Sequence, residues 1–360
     1  MTAEDLGADR VPVRDDLADL MPYGAPQVDA PVRLNTNETP QLPSAAWLAD
    51  VATSIQALEL NRYPDRRATA LREALAEGFG LPASSVWAAN GSNEILLQLF
   101  QAYGGPGRRL LLFRPGYSAH PLIARVSGTP VIEHELPDDF VLTVAHATQS
   151  AGAEQPDIVC VASPNNPTGI PVALQAVEAL HEATPGLVVV DEAYVEFGGD
   201  SAVTLLDRLP RLVVVRTFSK ALRLAGLRLG YLLGHDWVID DLRRVRLPYH
   251  VDGIKQLAGL KALEHRDELL DHIPVIVAER ERVAAALADL GVVTWPSAAN
   301  FILFRAGIDG LFDQLLARGV LVRDFSTSAG TEGCLRVTIG TRDENDAFLD
   351  ALAGILKEAA

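Results

Sequence analysis

Three short apolar runs in the middle of the chain give the first structural prediction. They occupy residues 158–162, 187–190 and 212–215, and each is uniformly apolar rather than alternating. Such runs are typical of strands that are covered on both faces of a parallel sheet. Helical spacing lies between them, over 171–186 and 201–209. This strand–helix–strand rhythm predicts an α/β sheet.

The segment before these strands has a helical period. Apolar residues recur at helical spacing over 45–60 and 66–80, and the sequence Asn-Arg-Tyr-Pro-Asp at 61–65 predicts a turn between the two helices. A third helix is predicted to begin at Ser92, where the preceding glycine supplies a turn. The first 45 or so residues are proline-rich and irregular, which favours an extended arm.

From residue 248 onward the pattern changes to long Ala/Leu helices, such as 275–290, with strands near 301–304 and 335–339. The chain has 360 residues, and a single hydrophobic core stops growing at about 250–300 residues. We therefore predict a large domain over 46–247. Residues 1–45 and 248–360 are expected to form the arm and a smaller domain.

Charge restricts the partners that this chain can have. Lysine plus arginine total 31 against 47 acidic residues, which gives a net charge of −16. This charge repels a phosphate backbone, so no nucleic-acid partner is expected. A small anionic substrate is still compatible with the composition, because a few arginines in a cleft set the local field.

The cysteines and the N-terminal sequence bear on location. Cys160 and Cys334 are far apart and offer neither a disulfide framework nor metal-ligand spacing, so no metal site is expected. The N-terminal sequence is acidic and polar, unlike a signal peptide. No apolar run approaches the ~18 residues that a membrane span needs. A cytoplasmic location without membrane contact is expected.

Polar side chains follow each of the three predicted strands. Asn166 lies in SPNNPTG, Asp191 in DEAY and Lys220 in TFSK, and the carboxyl ends of parallel strands meet at one edge of a sheet. Taken singly, these residues are typical of a turn, a helix cap and a solvated lysine. Together they supply what pyridoxal phosphate requires: an amine for its aldehyde, a carboxylate for its ring nitrogen and donors for its ring oxygen.

In this order, the three segments resemble those of the fold-type I pyridoxal-phosphate aminotransferases. Tyr23, LNTNE at 34–38, Arg-Tyr-Pro at 62–64 and LRVT at 335–338 extend the resemblance to the histidinol-phosphate aminotransferases within that group, over nearly the whole chain. The resemblance implies a mainly parallel seven-stranded sheet flanked by helices, a smaller α/β domain, and pyridoxal 5'-phosphate as the cofactor.

The resemblance also implies roles around the cofactor ring. Lys220 would bind the aldehyde and later carry a proton, for which its pKa must fall below the usual ~10.4. Asp191 would pair with the ring nitrogen, and Asn166 and Tyr194 would donate to the ring oxygen. Tyr117 would stack on the ring.

The cofactor phosphate would lie at a helix N-terminus, where free N–H groups and the dipole favour an anion. The neighbouring subunit of a homodimer with shared active sites would add a tyrosine. The residues that match the family's phosphate ligands are Ser92, Asn93, Thr217, Ser219, Arg228 and, from the partner subunit, Tyr63.

For the substrate, Arg336 matches the arginine that forks onto the α-carboxylate of the amino donor. Arg323 is the second candidate cation, which suits histidinol phosphate because a phosphomonoester replaces the carboxylate there. Tyr23, Asn37 and Tyr249 complete the expected substrate set. The implied reaction exchanges an amino group between L-histidinol phosphate and 2-oxoglutarate, a step of histidine biosynthesis.

Two positions depart from the family pattern, and three other functions stay open. Thr39 stands where the family more often has asparagine, and Leu222-Arg223 stands where an aromatic and then a small or apolar residue is common. The alternatives are an aromatic amino-acid aminotransferase, a decarboxylase of a phosphorylated amino acid, and a non-catalytic sensor. The sensor is disfavoured because the acidic arm leaves no room for a DNA-binding module. His120 and His250 receive no role.

Overall fold

The computed structural model describes residues 11–21, 24 and 27–359. The strands are β1 Val32–Arg33, β2 Val86–Ala89, β3 Leu110–Arg114, β4 Val131–Glu135, β5 Ile158–Ala162, β6 Leu187–Asp191, β7 Leu212–Thr217, β8 Gly230–Gly234, β9 Val293–Thr294, β10 Phe301–Arg305, β11 Val320–Leu321, β12 Arg323–Asp324 and β13 Leu335–Thr338. The α-helices are α1 Ala45–Ser54, α2 Thr69–Phe79, α3 Ser92–Tyr103, α4 Ala119–Val126, α5 Val144–Glu154, α6 Leu174–Ala183, α7 Asp236–Val245, α8 Gly253–Glu264, α9 Arg266–Leu270, α10 Ile273–Asp289, α11 Leu311–Ala317 and α12 Arg342–Ala359. In the part of the chain so described, no helix is long and apolar enough to span a membrane.

The larger sheet has seven strands in the order β2-β8-β7-β6-β5-β3-β4. Neighbouring strands are parallel except where β8 pairs with β2 and β7. Every residue of β6 and β7 is buried, because helices cover both faces and leave no face for polar side chains. The predicted fold, a mainly parallel seven-stranded sheet flanked by helices, is confirmed.

The register of the sheet brings three strand ends level with one another. Ala162 at the end of β5 lies opposite Asp191 at the end of β6, and Asp191 in turn lies opposite Val215 of β7. The polar residues that follow β5, β6 and β7 therefore leave the sheet at the same edge. This is the edge at which open α/β sheets bind ligands.

A smaller antiparallel sheet, in the order β12-β13-β10-β9, lies beside this edge. Helices α10 and α12 share its apolar core, which Phe301, Phe304 and Phe348 fill. The arm joins this unit through β1, which pairs in parallel with β11. The smaller α/β unit is thus built from the C-terminal part of the chain together with the arm.

Helix α8 belongs to a different apolar cluster. Its residues Ala258 and Ala262 pack with Trp47 of α1 and Leu71 of α2, and the indole N–H of Trp47 donates to the carbonyl of Ala258 over 3.2 Å. We propose that the boundary between the two domains lies near residue 272, at the start of α10, rather than at 247 as the sequence suggested.

One predicted helix is shorter in the structure. Within 201–209, only Ala202–Leu205 is helical, and it is a 3₁₀ turn. The Glu192 carboxylate accepts from the hydroxyl of Ser201 over 2.9 Å and from the backbone N–H of Ala202 over 2.6 Å, which fixes this segment to the end of β6. Pro210 follows and cannot continue a helix.

Candidate active site

A cavity of about 410 Å³ opens at the carboxyl ends of β5, β6 and β7, beside the smaller sheet. The structure brings most of the predicted site residues together around it. Those that line the cavity are Asn37, Ser92, Asn93, Tyr117, Asn166, Asp191, Tyr194, Thr217, Ser219, Lys220, Arg228, Arg323 and Arg336.

Asp191 lies on the floor of this cavity with 3% of its surface exposed. Its Oδ2 is 3.2 Å from Nε2 of His120, and its Oδ1 accepts from the backbone N–H of Ala193 over 3.2 Å. Burial alone would lower the pKa of His120, but the sulfur of Cys160 and the Asp191 carboxylate raise it to about 10. The contact with His120 therefore holds the carboxylate in place.

Sequence reasoning left His120 without a role, although its position held a signal. It lies three residues after Tyr117, and α4 carries it beneath the Tyr117 ring, with ring centroids 5.2 Å apart at 84°. The sulfur of Cys160 is 3.8 Å from its Nδ1, so Cys160 is more than a small apolar filler. The cavity wall also includes Glu38 and Phe325, which the sequence did not suggest.

Lys220 reaches the cavity from the loop after β7. Its Nζ donates to the backbone carbonyls of Thr36 at 2.9 Å and Asn37 at 3.0 Å. Burial, with a smaller contribution from the charges of Arg336 and Arg228, lowers the pKa of Lys220 to about 7. Near neutral pH, a large fraction of this amine is therefore neutral and able to act as a nucleophile or a base.

The N-terminus of α3 and the guanidinium of Arg228 form a cradle at one end of the cavity. Nη1 of Arg228 donates to Oγ of Ser219 over 3.1 Å. Gly91 has φ +85°, and a Cβ there would lie 3.0 Å from Nη2 of Arg228. A Cβ on Gly230 would lie 2.5 Å from the backbone N of Ser92. Gly91 thus leaves room for Arg228 beside the helix N-terminus, and Gly230 lets β8 lie against the start of α3, an arrangement that suits an anion site.

The arm forms one wall of the cavity through Asn37, which has a positive φ of 55°. Its Nδ2 donates to the hydroxyl oxygen of Tyr194 over 2.9 Å, and its Oδ1 accepts from the hydroxyl of Thr338 over 3.0 Å. Thr338 lies in β13, so the arm, the smaller sheet and the loop after β6 meet at this residue. Asn37 therefore fixes the position of Tyr194.

Arg323 and Arg336 lie opposite each other on β12 and β13, and both line the cavity. Nη2 of Arg336 donates to the carbonyl of Asn35 over 2.7 Å, and its guanidinium lies 5.0 Å from the ring centroid of Phe301. Two adjacent guanidinium groups create a positive patch in a protein whose net charge is −16. An anionic group on a ligand is the natural partner of such a patch.

Two predicted site residues that the structure describes, Tyr63 and Tyr249, do not line this cavity. Tyr63 is 80% exposed and stacks on Tyr249, with ring centroids 4.4 Å apart; both side chains are outside the cavity lining. The role of Tyr249 as a substrate contact stays a prediction, because in this chain the stack with Tyr63 lies at the surface. Tyr23 lies outside the residues that the structure describes.

The arrangement suits a phosphorylated, ring-shaped cofactor with an electrophilic carbon. It offers an anion cradle at one end, a buried carboxylate on the floor and a lysine amine of lowered pKa between them. In the parts of the chain that the structure describes, no group of three or more His, Cys, Asp or Glu side chains could hold a metal ion.

Comparison with known proteins identifies the class. Residues 30–352 match the family model "Aminotransferase class I and II", so the chain belongs to the class I and II aminotransferases. Within that family, it is 49% identical to the histidinol-phosphate aminotransferase of Frankia casuarinae, over 97% of this chain and 91% of the relative. It is also 49% identical to that of Nocardia farcinica, over 96% and 91%.

A solved structure shares the fold. The histidinol-phosphate aminotransferase of Sinorhizobium meliloti, determined in complex with pyridoxal-5'-phosphate, superposes with a TM-score of 0.87 at 24% identity. The alignment covers 96% of this chain and 98% of that one. The family membership that the strand-end residues suggested is confirmed.

Proposed function

We propose that this chain catalyses reversible amino transfer between L-histidinol phosphate and 2-oxoglutarate, giving imidazole-acetol phosphate and L-glutamate, with pyridoxal 5'-phosphate as its cofactor. The observation that carries the proposal is the pair Arg323 and Arg336, opposite each other on adjacent strands at the cavity wall. An enzyme for apolar aromatic amino acids needs one anion site, whereas this substrate pair needs a site that accepts either a carboxylate or a phosphomonoester.

The residues present fit the cofactor. The space that Gly91 leaves beside Arg228, the start of α3, and the hydroxyls of Thr217 and Ser219 suit its phosphate. Asp191 suits the ring nitrogen, and Asn166 and Tyr194 suit the ring oxygen. When bound, the cofactor supplies an aldehyde that takes up the amino group and a ring that accepts electrons from the substrate carbon.

Lys220 is the residue to which we assign the proton transfer. At a pH near its pKa of about 7, a large fraction of the amine is neutral. It can therefore accept the proton from the substrate carbon at neutral pH. The carbonyls of Thr36 and Asn37, 2.9 and 3.0 Å away, hold the amine. Asp191, held by His120, would place its carboxylate beside the ring nitrogen, where it would stabilise positive charge on the bound ring.

Substrate recognition falls to the arm and the smaller sheet. Arg336 would fork onto the α-carboxylate of glutamate or onto the phosphate of histidinol phosphate, a bidentate contact that lysine makes poorly. Arg323 would share the doubly charged phosphate. Asn37 and Tyr23, both residues of the arm, would complete the pocket.

We also propose that the enzyme is a cytoplasmic homodimer with shared active sites. Tyr63 and Tyr249 form an exposed aromatic stack outside the cavity, and exposed apolar side chains of this size mark interaction surfaces. Tyr63 would reach the cofactor phosphate of the neighbouring subunit, and Tyr249 would lie beside that second site. Two buried free cysteines are compatible with a reducing compartment.

The test is a comparison of amino donors. The protein loaded with pyridoxal 5'-phosphate is mixed with L-histidinol phosphate, L-glutamate or L-phenylalanine, and the change in cofactor absorbance is followed. Histidinol phosphate and glutamate should react faster than phenylalanine by at least about tenfold in kcat/KM. A faster reaction with phenylalanine would overturn the substrate assignment and leave the reaction class intact.

A further inference from the structure

Arg223, three residues after Lys220, has a backbone conformation that favours glycine. Its φ is +61°, which an L-residue with a Cβ adopts only at a cost in free energy. Nevertheless its side chain is only 7% exposed. A strained backbone with a buried guanidinium indicates that the side chain makes contacts that offset the strain.

The guanidinium of Arg223 joins two segments that are distant in sequence. Nε donates to Nδ1 of His272 over 2.8 Å, and Nη2 pairs with the carboxylate of Asp271. On the other side, Nη1 donates to the backbone carbonyl of Leu42 over 3.3 Å. His272 directly precedes α10 of the smaller unit, and Leu42 belongs to the arm.

His272 is suited to be the acceptor in this cluster. It is 4% exposed, and burial together with the charge of Arg223 lowers its pKa to about 4. Its imidazole is therefore neutral at physiological pH, and Nδ1 keeps a lone pair for the guanidinium.

The backbone of Arg223 links this cluster to the catalytic loop. Its N–H donates to the carbonyl of Lys220 over 3.1 Å, and the hydroxyl of Thr39 donates to the same carbonyl over 2.8 Å. The arm is thus attached to the lysine loop at two points, through Thr39 and through Leu42. Thr39 and Arg223 both lie in the segments at which the chain departs from the family pattern, the second segment being Leu222-Arg223.

The arm segment that is held in this way forms the substrate side of the cavity. Thr36 and Asn37 accept from Nζ of Lys220, Asn37 fixes Tyr194, and Asn35 accepts from Arg336. In contrast, Asp191 ends β6 of the large sheet and Ser92 begins α3. Loosening the arm would therefore disturb substrate binding more than cofactor binding.

We propose that Arg223 is a positioning residue for substrate binding, which fastens the arm segment 35–42 and the start of α10 to the loop that carries Lys220. Its effect on the substrate rests on the aminotransferase function proposed above. Its effect on the arm does not depend on that function, because it rests on contacts within the chain.

The test uses Arg223→Gly, which removes the guanidinium and the φ penalty together, and Arg223→Lys, which keeps a cation but cannot contact His272, Asp271 and Leu42 at once. Both proteins, loaded with pyridoxal 5'-phosphate, should show faster hydrogen–deuterium exchange over 35–42. Their KM for L-glutamate and for L-histidinol phosphate should rise about tenfold while kcat changes less. Cofactor affinity should change by a smaller factor than the two KM values do.

Arg208→Ala is the matched control, because Arg208 forms an ion pair with Glu178 on the surface, away from the cavity. It should leave the exchange and both KM values unchanged. If residues 35–42 of Arg223→Gly exchange hydrogen for deuterium at the parental rate, the proposal is overturned, even if that variant melts at a lower temperature. If exchange is faster but the KM for glutamate is unchanged, Arg223 holds the arm without affecting substrate binding. That result would overturn its role in substrate binding. If the protein reacts with glutamate but not with histidinol phosphate, that result counts against the proposed substrate and not against Arg223.

Discussion

Nη1 of Arg336 donates to Oδ1 of Asn166 over 2.5 Å. Arg336 belongs to β13 of the smaller sheet, and Asn166 belongs to the turn after β5 of the larger one. The residue proposed for the substrate anion therefore contacts a residue proposed for the cofactor ring oxygen. A change at Arg336 should affect both how substrate binds and how the ring is held.

We expect Arg336→Lys to raise KM for every amino donor by about a hundredfold, because a single amine cannot fork onto a carboxylate while keeping its contact with Asn166. Arg323→Lys should raise KM for histidinol phosphate more than for glutamate. Steady-state kinetics with both donors would measure the difference. If the two substitutions raised KM equally for both donors, the separate roles of Arg323 and Arg336 would be contradicted.

Gly91→Ala should weaken cofactor binding. The new Cβ would lie 3.0 Å from Nη2 of Arg228, at a residue whose φ is +85°, so both the cradle and the backbone must shift. The dissociation constant for pyridoxal 5'-phosphate should rise about tenfold or more, corresponding to the loss of roughly one charge-assisted hydrogen bond. Fluorescence titration of the apoprotein measures this constant.

Gly78→Ala is the control for that experiment. Gly78 lies within α2, where a Cβ meets nothing within 4 Å. The substitution should stabilise the helix slightly, by about 0.5–1 kcal/mol, and leave cofactor affinity unchanged. A matching loss of affinity in both variants would contradict a specific cradle at Gly91.

His120→Leu should lower cofactor affinity and kcat together. It removes the buried imidazole whose Nε2 lies 3.2 Å from Oδ2 of Asp191 and leaves that carboxylate without its partner, a loss of about 1–3 kcal/mol. His181→Leu is the control, because His181 is also a buried histidine but contacts Arg211 rather than the site. Only the change at His120 should shift the absorption spectrum of the bound cofactor.

The large sheet was predictable where its strands are buried on both faces. The uniformly apolar runs of β5, β6 and β7 contain the signal, and β3 has the same character in Leu110–Arg114 but was not assigned. β4 lies at the sheet edge and is only partly buried, so its sequence Val131–Glu135 is mixed and gives no clear strand pattern. This strand therefore lacks the burial on which the apolar signal depends, unlike β2 at the other edge, whose four residues are all buried.

The site could be predicted where chemistry follows a strand end directly. Asn166, Asp191 and Lys220 follow β5, β6 and β7, and the parallel register alone brings them together. His120 could not be located in this way, because its contact with Asp191 depends on how α4 packs beneath the sheet. The surface stack of Tyr249 with Tyr63 is likewise a tertiary contact that the sequence does not encode locally.

A hybrid dimer would test whether Tyr63 acts on the neighbouring subunit. Lys220→Ala lacks the catalytic amine, and Tyr63→Ala lacks the exposed ring, so each homodimer should be impaired. After unfolding and refolding as a mixture, a hybrid dimer holds one site with both residues intact. Activity should therefore rise above that of either parent. If activity in the mixture only averages the two parents, Tyr63 does not act across subunits.

The lowered pKa of Lys220 predicts how the stability of the apoprotein depends on pH. The pKa falls from its usual 10.5 to about 7 in the folded chain, so between these values the unfolded chain binds one proton more than the folded chain does. The free energy of unfolding therefore rises with pH across this window and, from this group, is lowest below pH 7. Lys220→Met removes the buried amine and with it this contribution.

The apoprotein of Lys220→Met should consequently melt at a higher temperature than the parent at pH 6.5, and the difference should shrink toward pH 10. Lys261→Met is the control, since Lys261 forms surface ion pairs with Glu264 and Asp50 and should show no such convergence. Thermal unfolding in matched buffers measures both. A difference between Lys220→Met and the parent that stays constant from pH 6.5 to 10 would mean that the lysine amine is protonated throughout, and would contradict its assignment as the base.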